Sequence, residues 1–253
     1  METQKIALVT GSSRGLGKNM AIALAKKGND VIITYNSNKK EADEVVSTIE
    51  FLGRKAAAVQ LNVGEVKTFT DFSSQLSTVL NEEWNRTNFD FLINNAGIGI
   101  NTPFTETTEE QFDLLTNIHF KGVYFLTQKL LPLIADGGRI VTVSTGLTRF
   151  AMPGYSVYSA LKGAIEVLTK YLAKELGARG IAVNTIAPGA IETDFGGGVV
   201  RDNEQVNKVI AGNTALGRVG LPDDIGGVVA FLCSEEARWV NAQRLEASGG
   251  MYL

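Results

Sequence analysis

Short, uniformly apolar runs alternate with longer segments of helical periodicity along the whole chain. The apolar runs predict strands near residues 5–9, 30–34, 55–61, 89–93, 138–144, 181–187 and 243–247. The helical periodicity predicts helices near residues 15–28, 39–53, 65–82, 108–135, 156–179, 199–212 and 222–234. Short apolar strands that alternate with helices are typical of a parallel sheet covered on both faces. The pattern therefore predicts an α/β fold with a doubly wound, mostly seven-stranded parallel sheet, Rossmann-like in architecture.

The 253 residues fit one large α/β domain, and the chain contains no repeat, low-complexity stretch or linker. We therefore predict a single domain over residues 1–253. Its least regular part is the segment 192–213, where Gly196, Gly197 and Gly198 follow one another. We predict a flexible substrate loop there, which is either a lid over a site or a plain connection.

Composition argues against several classes of function. The net charge of -3 gives no basic surface for a nucleic acid, and no apolar run reaches the ~18 residues that span a bilayer. The start of the chain lacks the features of a secretory signal, so we expect a cytoplasmic protein without a membrane partner. The single cysteine, Cys233, lies in an apolar run and is expected to be buried and inert. With one cysteine and one histidine, we expect no disulfide and no metal site.

A glycine-rich turn follows the first predicted strand. Gly11, Gly15 and Gly17 open the first helix, where glycine lets backbone N–H groups approach a phosphate at the positive helix end. The spacing is wider than the common G-x-G-x-x-G pattern, and such a turn is often only a turn. Its position between a strand and a helix favours dinucleotide binding.

The end of the second predicted strand indicates which dinucleotide binds. A carboxylate there would accept hydrogen bonds from the ribose 2′-OH of NAD, but this chain has no acid before Glu41. Arg14, in the glycine turn, supplies a positive charge suited to a phosphate, and Asn36 and Ser37 add neutral donors. We therefore predict NADP(H). The alternative for Arg14 is a solvated surface charge.

Tyr158 and Lys162 stand four residues apart on a predicted helix, so they share one face. A phenol normally titrates near ~10, and a neighbouring ammonium favours the phenolate and lowers that pKa. The pair is therefore a candidate proton donor for work near neutral pH. Taken alone, the same spacing also occurs on ordinary exposed helices.

The chain resembles the classical short-chain dehydrogenase/reductase family across nearly its full length. The resemblance rests on Thr10-Gly11-x-x-x-Gly15-x-Gly17, Asn94-Asn95-Ala96-Gly97, Tyr158-x-x-x-Lys162 and Pro188-Gly189, in the family's order and at its usual spacing. It implies a Rossmann-like subunit, hydride transfer with a nicotinamide cofactor, and usually a tetramer or dimer. It also implies that Tyr158 is the general acid, and that Lys162 holds the nicotinamide ribose and lowers the Tyr158 pKa.

The residues and the resemblance together predict a set of cofactor contacts. These are Gly11, Ser13, Arg14, Gly15, Leu16, Gly17, Tyr35, Asn36, Ser37, Asn62, Val63, Asn95, Ala96, Gly97, Tyr158, Lys162, Pro188, Gly189, Ile191 and Thr193. Asn62 stands where the family usually has Asp, and an amide still bonds the adenine, so little loss is expected.

Two departures from the family affect the predicted catalytic set. The family usually has two serines after the fifth strand, the second of which acts on the substrate oxygen; here the pair is Ser144-Thr145. Register from Tyr158 places Thr145 at that position, whereas residue type alone would select Ser144. Register from Gly122 and Pro132 places His119 at the position of the family's catalytic Asn. Its imidazole either holds the water that links Lys162 to solvent, or only packs the helix while its backbone carbonyl binds that water. The tail also departs, with Ala242 and Ser248 in place of the common Gly and Asp, which leaves its role in assembly open.

We expect an NADPH-dependent carbonyl reductase, reversible as an alcohol dehydrogenase. Phe150, Met152, Tyr155 and Phe195 are candidates for an apolar wall, so a hydrophobic or aryl ketone is the expected substrate; the alternative for each is core packing. One rival is a 3-oxoacyl-carrier-protein reductase, whose acidic partner would require a basic rim. A rival of another class is a cofactor-sensing regulator without turnover, against which the intact Tyr158 and Lys162 argue.

The predicted helices at 108–135 and 156–179 are long, and their apolar faces exceed what one sheet face needs. We therefore predict a homotetramer built by pairing these helices across a two-fold axis.

Overall fold

The computed structural model describes residues 4–253. Its strands are β1 (Ile6–Val9), β2 (Asp30–Tyr35), β3 (Ala56–Gln60), β4 (Phe89–Asn94), β5 (Ile134–Val143), β6 (Ala182–Pro188) and β7 (Arg244–Ala247). They form one seven-stranded sheet in the order β3-β2-β1-β4-β5-β6-β7, and every neighbouring pair is parallel. The predicted fold class is confirmed.

Helices cover both faces of this sheet. They are α1 (Gly15–Lys26), α2 (Lys39–Phe51), α3 (Phe69–Trp84), α4 (Glu109–Thr116), α5 (Gly122–Leu130), α6 (Ser156–Glu175), α7 (Val199–Asp202), α8 (Glu204–Gly212) and α9 (Pro222–Leu232). Within residues 4–253, no helix is both long and apolar enough to cross a membrane.

Two hydrophobic cores result, because successive side chains of a strand point to opposite faces. In β1, Ala7 and Val9 pack with buried residues of α1, α2 and α9. The intervening Ile6 and Leu8 pack with buried residues of α3, α5 and α6. Strands buried on both faces need an apolar side chain at nearly every position, which explains the uniform runs in the sequence.

The helix predicted over 108–135 is not continuous. A π-helical turn, Asn117–Lys121, separates α4 from α5, and the chain then enters β5 at Ile134 instead of near residue 138. Gly122, directly after the π-helical turn, lies against the backbone of Val63, where a Cβ would come within 2.1 Å of the Val63 carbonyl oxygen. The interruption therefore brings this part of the chain close to the end of β3.

The helix predicted over 199–212, inside the segment 192–213, is present as two short helices, α7 and α8. Before them Gly196, Gly197 and Gly198 all have positive φ, of 62°, 77° and 76°. Side chains other than glycine rarely adopt this conformation, so the three glycines allow a turn that other residues would strain.

Cys233 lies at the end of α9 and is buried, as predicted. Burial raises the pKa of its thiol to about 12, so the thiolate is scarce at neutral pH.

Candidate active site

A cavity of about 600 Å³ lies at the carboxyl edge of the sheet. The order of the strands reverses between β1 and β4, and ligands of open α/β sheets bind at such a switch point. The turn after β1 lines one end of the cavity, and the start of α6 lines the other.

The glycine turn is packed so tightly that two of its glycines are obligatory. A Cβ on Gly11 would lie 2.9 Å from the Cα of Ala96, and a Cβ on Gly17 would lie 2.3 Å from the carbonyl oxygen of Gly11. Gly15 is required for another reason, its φ of 57°; a Cβ there would have no neighbour nearer than 4.0 Å and would project into open space. That space, at the start of α1, fits a phosphate bound by a helix N-terminus.

Hydrogen bonds join this turn to the end of β4. The Thr10 hydroxyl accepts from the backbone N–H groups of Asn95 and Ala96, at 2.9 and 3.0 Å. The Asn95 amide donates to the carbonyl oxygens of Thr10 and Gly11, at 2.9 and 3.1 Å. The two loops predicted to contact a dinucleotide are therefore one rigid unit.

The predicted specificity residues are only partly brought together. Arg14 is exposed, lines the cavity and forms no ion pair within residues 4–253, and Asn36 lines the cavity with it. Tyr35 does not line it, because its side chain packs in the core beside α2. Ser37 is exposed and also lies outside the cavity wall. The structure thus supports Arg14 and Asn36 and does not place Tyr35 and Ser37 with the other cofactor contacts.

The remaining predicted cofactor contacts do line the cavity. They are Gly11, Ser13, Gly15, Leu16, Gly17, Asn62, Val63, Asn95, Ala96, Gly97, Tyr158, Lys162, Pro188, Gly189, Ile191 and Thr193. A Cβ on Gly189 would lie 2.9 Å from the Cα of Ser248, so the tail packs directly behind this stretch.

Tyr158 and Lys162 lie on the inward face of α6 and are 7% and 4% exposed. The Lys162 ammonium donates to the Val143 carbonyl oxygen at 2.6 Å and lies 5.7 Å from the centre of the Tyr158 ring. Burial lowers the pKa of Lys162 to about 8. The Lys162 ammonium and the Tyr158 phenol therefore lie close together, as predicted.

The predicted direction of the Tyr158 pKa is wrong for the protein chain by itself. Burial raises the pKa of Tyr158 above its ordinary value, and a hydrogen bond with Thr145 offsets only part of that effect. Removing the phenolate from water is the largest effect on the Tyr158 pKa, and the same burial disfavours the charge of Lys162. The phenol is therefore held protonated, as a proton donor requires.

Ser144 and Thr145 leave the end of β5 in different directions. The Ser144 hydroxyl donates to Glu166 at 2.7 Å. The Thr145 side chain lies beside Tyr158 and lowers its pKa, and Thr145 Oγ1 accepts from the Leu147 backbone N–H at 3.3 Å. Both residues border the cavity, but Thr145 is the one whose hydroxyl adjoins Tyr158.

His119 lies in the π-helical turn and is 1% exposed. Its Nε2 is 2.8 Å from the Ile98 carbonyl oxygen, and its ring meets the Tyr158 ring edge-on at 5.1 Å. Nδ1 has no hydrogen-bond partner among the described residues. Burial, aided by the charge of Lys162, lowers the pKa of His119 to about 3, so the imidazole is neutral.

An apolar wall completes the cavity. The predicted Phe150, Met152, Tyr155 and Phe195 all line it, and the Phe195 ring lies 5.8 Å from that of Tyr158. The sequence did not reveal several further apolar lining residues, among them Val199, Val200, Val206, Ile210 and Met251. The apolar periodicity of 199–212 was a signal, but it does not reveal which face turns towards the site.

The strand order, the glycine turn and the buried Tyr158–Lys162 pair define a nucleotide-binding oxidoreductase of Rossmann-like architecture. A family model described as "Enoyl-(Acyl carrier protein) reductase" matches residues 11–252. The hydroxynaphthalene reductase-like protein Arp2 of Metarhizium brunneum is 35% identical to this chain. The match covers 97% of this chain and 94% of Arp2. The chain belongs to the short-chain dehydrogenase/reductase family.

Two solved structures are particularly similar. LugOII, described as a promiscuous reductase that catalyses keto-reduction at C1 during lugdunomycin biosynthesis, has a TM-score of 0.94 and 38% identity, with both chains fully covered. The angucycline C-6 ketoreductase LanV, solved with bound NADP, has a TM-score of 0.93 and 36% identity. That match covers 98% of this chain and 95% of LanV.

Proposed function

We propose that this protein reduces an apolar, aromatic ketone to a secondary alcohol, with NADPH as the reductant. The observation that carries the proposal is the convergence of the Tyr158 and Thr145 hydroxyls at the inner end of a largely apolar cavity. A ketone oxygen bound between them would meet two hydrogen-bond donors where negative charge develops during reduction.

NADP(H) is the cofactor, and when bound it supplies the hydride that the carbonyl carbon accepts. The obligatory glycines and the open space at Gly15 fit its pyrophosphate, and Arg14 fits its 2′-phosphate. In our proposal Tyr158 donates its proton to the developing alkoxide. Lys162 then stabilises the phenolate that remains, since its ammonium lies beside the ring.

The raised pKa of Tyr158 has two effects on reduction. It keeps the phenol protonated at neutral pH, so a proton is present to donate. It also makes the phenol a weaker acid, so donation depends on Lys162 to stabilise the phenolate that remains.

The substrate class follows from the cavity wall and agrees with the relatives' chemistry. Phe150 and Phe195 offer flat surfaces for an aromatic ring, and Val199, Ile210 and Met251 add apolar area. LanV has also been solved with NADP and rabelomycin. Together with LugOII and Arp2, this supports a fused-ring aromatic ketone as the substrate of this chain.

We propose that His119 acts as a positioning residue. Nε2 lies 2.8 Å from the Ile98 carbonyl oxygen and 3.3 Å from the Ile98 backbone N–H, so either tautomer has a partner. We assign the proton to Nε2 because the contact with the carbonyl oxygen is the shorter of the two. Ile98 directly follows Gly97, so this bond supports the loop predicted to pass beside the nicotinamide ribose. On this proposal the side chain does more than pack the helix, and its role does not require the imidazole to hold a water.

We also propose a homotetramer. On the outer faces of α5 and α6, Tyr124, Phe125, Val167 and Tyr171 are between 39% and 64% exposed. Several large apolar side chains on neighbouring helices are typical of a surface that another copy covers.

The test of the proposed reaction is NADPH oxidation over a matched panel of ketones. We expect a bicyclic aromatic ketone to have a higher kcat/KM than an acetoacetyl thioester or a small aliphatic ketone. A preference for the thioester would favour a 3-oxoacyl-carrier-protein reductase instead. NADPH binding without turnover of any panel member would favour the non-catalytic regulator.

A further inference from the structure

Glu166 receives three hydrogen bonds on one carboxylate oxygen, beside the proposed substrate oxygen site. Its Oε1 accepts from the Ser144 hydroxyl at 2.7 Å, the Thr148 hydroxyl at 2.8 Å and Arg244 Nε at 2.7 Å. The side chains of Glu166 and Arg244 are 18% and 24% exposed, so the pair is largely shielded from water. Such charge-assisted bonds are shorter and stronger than neutral ones.

Arg244 holds the same turn through its other nitrogens. Nη2 donates to the carbonyl oxygen of Thr145 at 3.2 Å and to the Thr148 hydroxyl at 3.1 Å. Nη1 donates to Glu246 at 2.9 Å. One guanidinium in β7 thus bonds Thr145 and Thr148 directly, and through Glu166 it is also linked to Ser144.

Glu166 lies on the same face of α6 as the proposed proton donor. It follows Lys162 by four residues and Tyr158 by eight, spacings that place all three on one side of a helix. The contacts of Glu166 therefore join the helix that carries Tyr158 to the strand end that carries Thr145.

We propose that Glu166 and Arg244 are positioning residues that fix the turn at Ser144–Thr148 against α6 and so set the distance between Thr145 Oγ1 and the Tyr158 hydroxyl. The inference rests on the proposed function, in which these two hydroxyls share the ketone oxygen. It assigns Ser144 a role as well: its hydroxyl ties the strand end to Glu166 and does not contact substrate.

The charges around the pair are balanced, which makes it suited to this role. Glu246 also pairs with Arg149, and Ser248 donates to Glu246 at 2.7 Å. Arg149 in turn donates to the carbonyl oxygen of Met251, a residue of the cavity wall. The two carboxylates and two guanidiniums thus compensate each other, and no uncompensated charge of the group is left beside the ketone site.

The experiment compares two variants with a matched control. Glu166→Gln keeps the shape but removes the charge, and Arg244→Lys keeps the charge but cannot make all the bonds of the planar guanidinium. Arg54→Gln is the control, because Arg54 pairs at 2.9 Å with buried Asp30 at the start of β2, away from the site. Each is measured for kcat, ketone KM, NADPH dissociation constant and melting temperature.

Small displacements of reacting groups cost up to about a hundredfold in rate, so we expect Glu166→Gln and Arg244→Lys to lower kcat about ten- to a hundredfold. We expect the NADPH dissociation constant to stay within about twofold, since neither residue lines the cofactor region. Arg54→Gln is expected to lower the melting temperature without lowering kcat. A kcat loss in Arg54→Gln equal to that of the other two would overturn the proposal.

A double-variant cycle tests whether the effect passes through Thr145. In a Thr145→Ala background, adding Glu166→Gln is expected to change kcat by less than about twofold, because the hydroxyl that it positions is already absent. A further tenfold loss would show that Glu166 acts elsewhere and would overturn the proposal. If Thr145→Ala is impaired while Glu166→Gln and Arg244→Lys are normal, only the positioning role fails. If the wild type reduces no ketone, the proposed function fails and this inference fails with it.

Discussion

Two adjacent hydroxyls, on Ser144 and Thr145, have different partners, and this difference makes the substrate site testable. Thr145 lies beside Tyr158 and lowers its pKa, whereas the Ser144 hydroxyl donates to Glu166. Loss of one donor to a developing oxyanion costs roughly 10²–10³ in kcat, and we expect Thr145→Ala to fall in that range. Thr145→Ser keeps the hydroxyl and should retain substantial activity. Ser144→Ala should lose less than about tenfold, because Glu166 keeps its other bonds.

These three variants are compared by kcat on one good ketone at saturating NADPH. Tyr158→Phe serves as the reference for complete loss of the proton donor, with cofactor binding preserved. A crippled Ser144→Ala together with a normal Thr145→Ala would mean that the two hydroxyls have exchanged roles.

The charge of Lys162 is expected to set the pH above which reduction slows. Its pKa of about 8 means that its positive charge is lost as the pH rises through 8, while Tyr158, whose pKa is raised, remains a phenol. The kcat/KM of reduction should therefore fall above about pH 8, because the phenolate loses its stabilising ammonium. In Lys162→Arg the guanidinium stays charged, so we expect weaker activity without this fall. A wild-type profile that stays flat to pH 10 would contradict the prediction.

We expect Arg14 to determine whether the protein prefers NADPH or NADH. The wild type should prefer NADPH to NADH, and Arg14→Ala should raise the KM for NADPH about tenfold, since a charged bond to the 2′-phosphate is lost. The KM for NADH should barely change, because that cofactor has no phosphate at this position. Lys26→Ala, at the exposed end of the same helix, is the control. Equal use of NADH by the wild type would refute the assignment.

The π-helical turn between α4 and α5 presents His119 to the loop at Gly97–Ile98. We expect His119→Ala to raise the KM for NADPH and to lower the melting temperature, because the Ile98 carbonyl loses its donor and a cavity forms. His119→Asn keeps an N–H donor, so its KM for NADPH and its melting temperature should stay closer to those of the wild type. Since His119 is the only histidine, the nitrogen-15 spectrum of its imidazole is unambiguous and should show a proton on Nε2. A proton on Nδ1 would contradict the proposed bond.

The strands were predictable because a sheet covered on both faces requires apolar side chains throughout. The start of β5 could not be predicted. The strand contains Asp136, Gly137 and Gly138, which are residue types typical of a turn. The pairing with β4 shifts register in this region, so the chain absorbs these residues in a bulge. The π-helical turn was equally hidden, since a single wider turn hardly disturbs a helical hydrophobic pattern.

Most of the residues predicted for the site do line the cavity, because the glycines, Tyr158 and Lys162 occur at fixed spacings. The direction of the Tyr158 pKa shift could not be predicted, because it depends on how deeply the fold buries the ring. Glu166 and Arg244 were missed for a similar reason: they are 78 residues apart in the sequence and meet only after the sheet has formed.

The whole molecule presents an unpaired apolar surface on α5 and α6, which predicts its assembly. We expect a homotetramer at micromolar concentration by sedimentation. A Val167→Glu/Tyr171→Glu double variant should dissociate it, because two buried like charges would face their copies across a two-fold axis. Phe51→Glu is the control, since Phe51 is 91% exposed at the end of α2, away from that surface. A wild type that sediments only as a monomer would rule the tetramer out.

The burial of Cys233 has a practical consequence for observing the segment with the three glycines. Because the only thiol of the chain is shielded and has a pKa near 12, maleimide reagents should leave the wild type unlabelled under native conditions. A cysteine introduced at the exposed Val199 would then carry a fluorophore alone, without background from a second site. Such a label would test on single molecules whether this segment moves over the cavity as NADPH and ketone are added in turn.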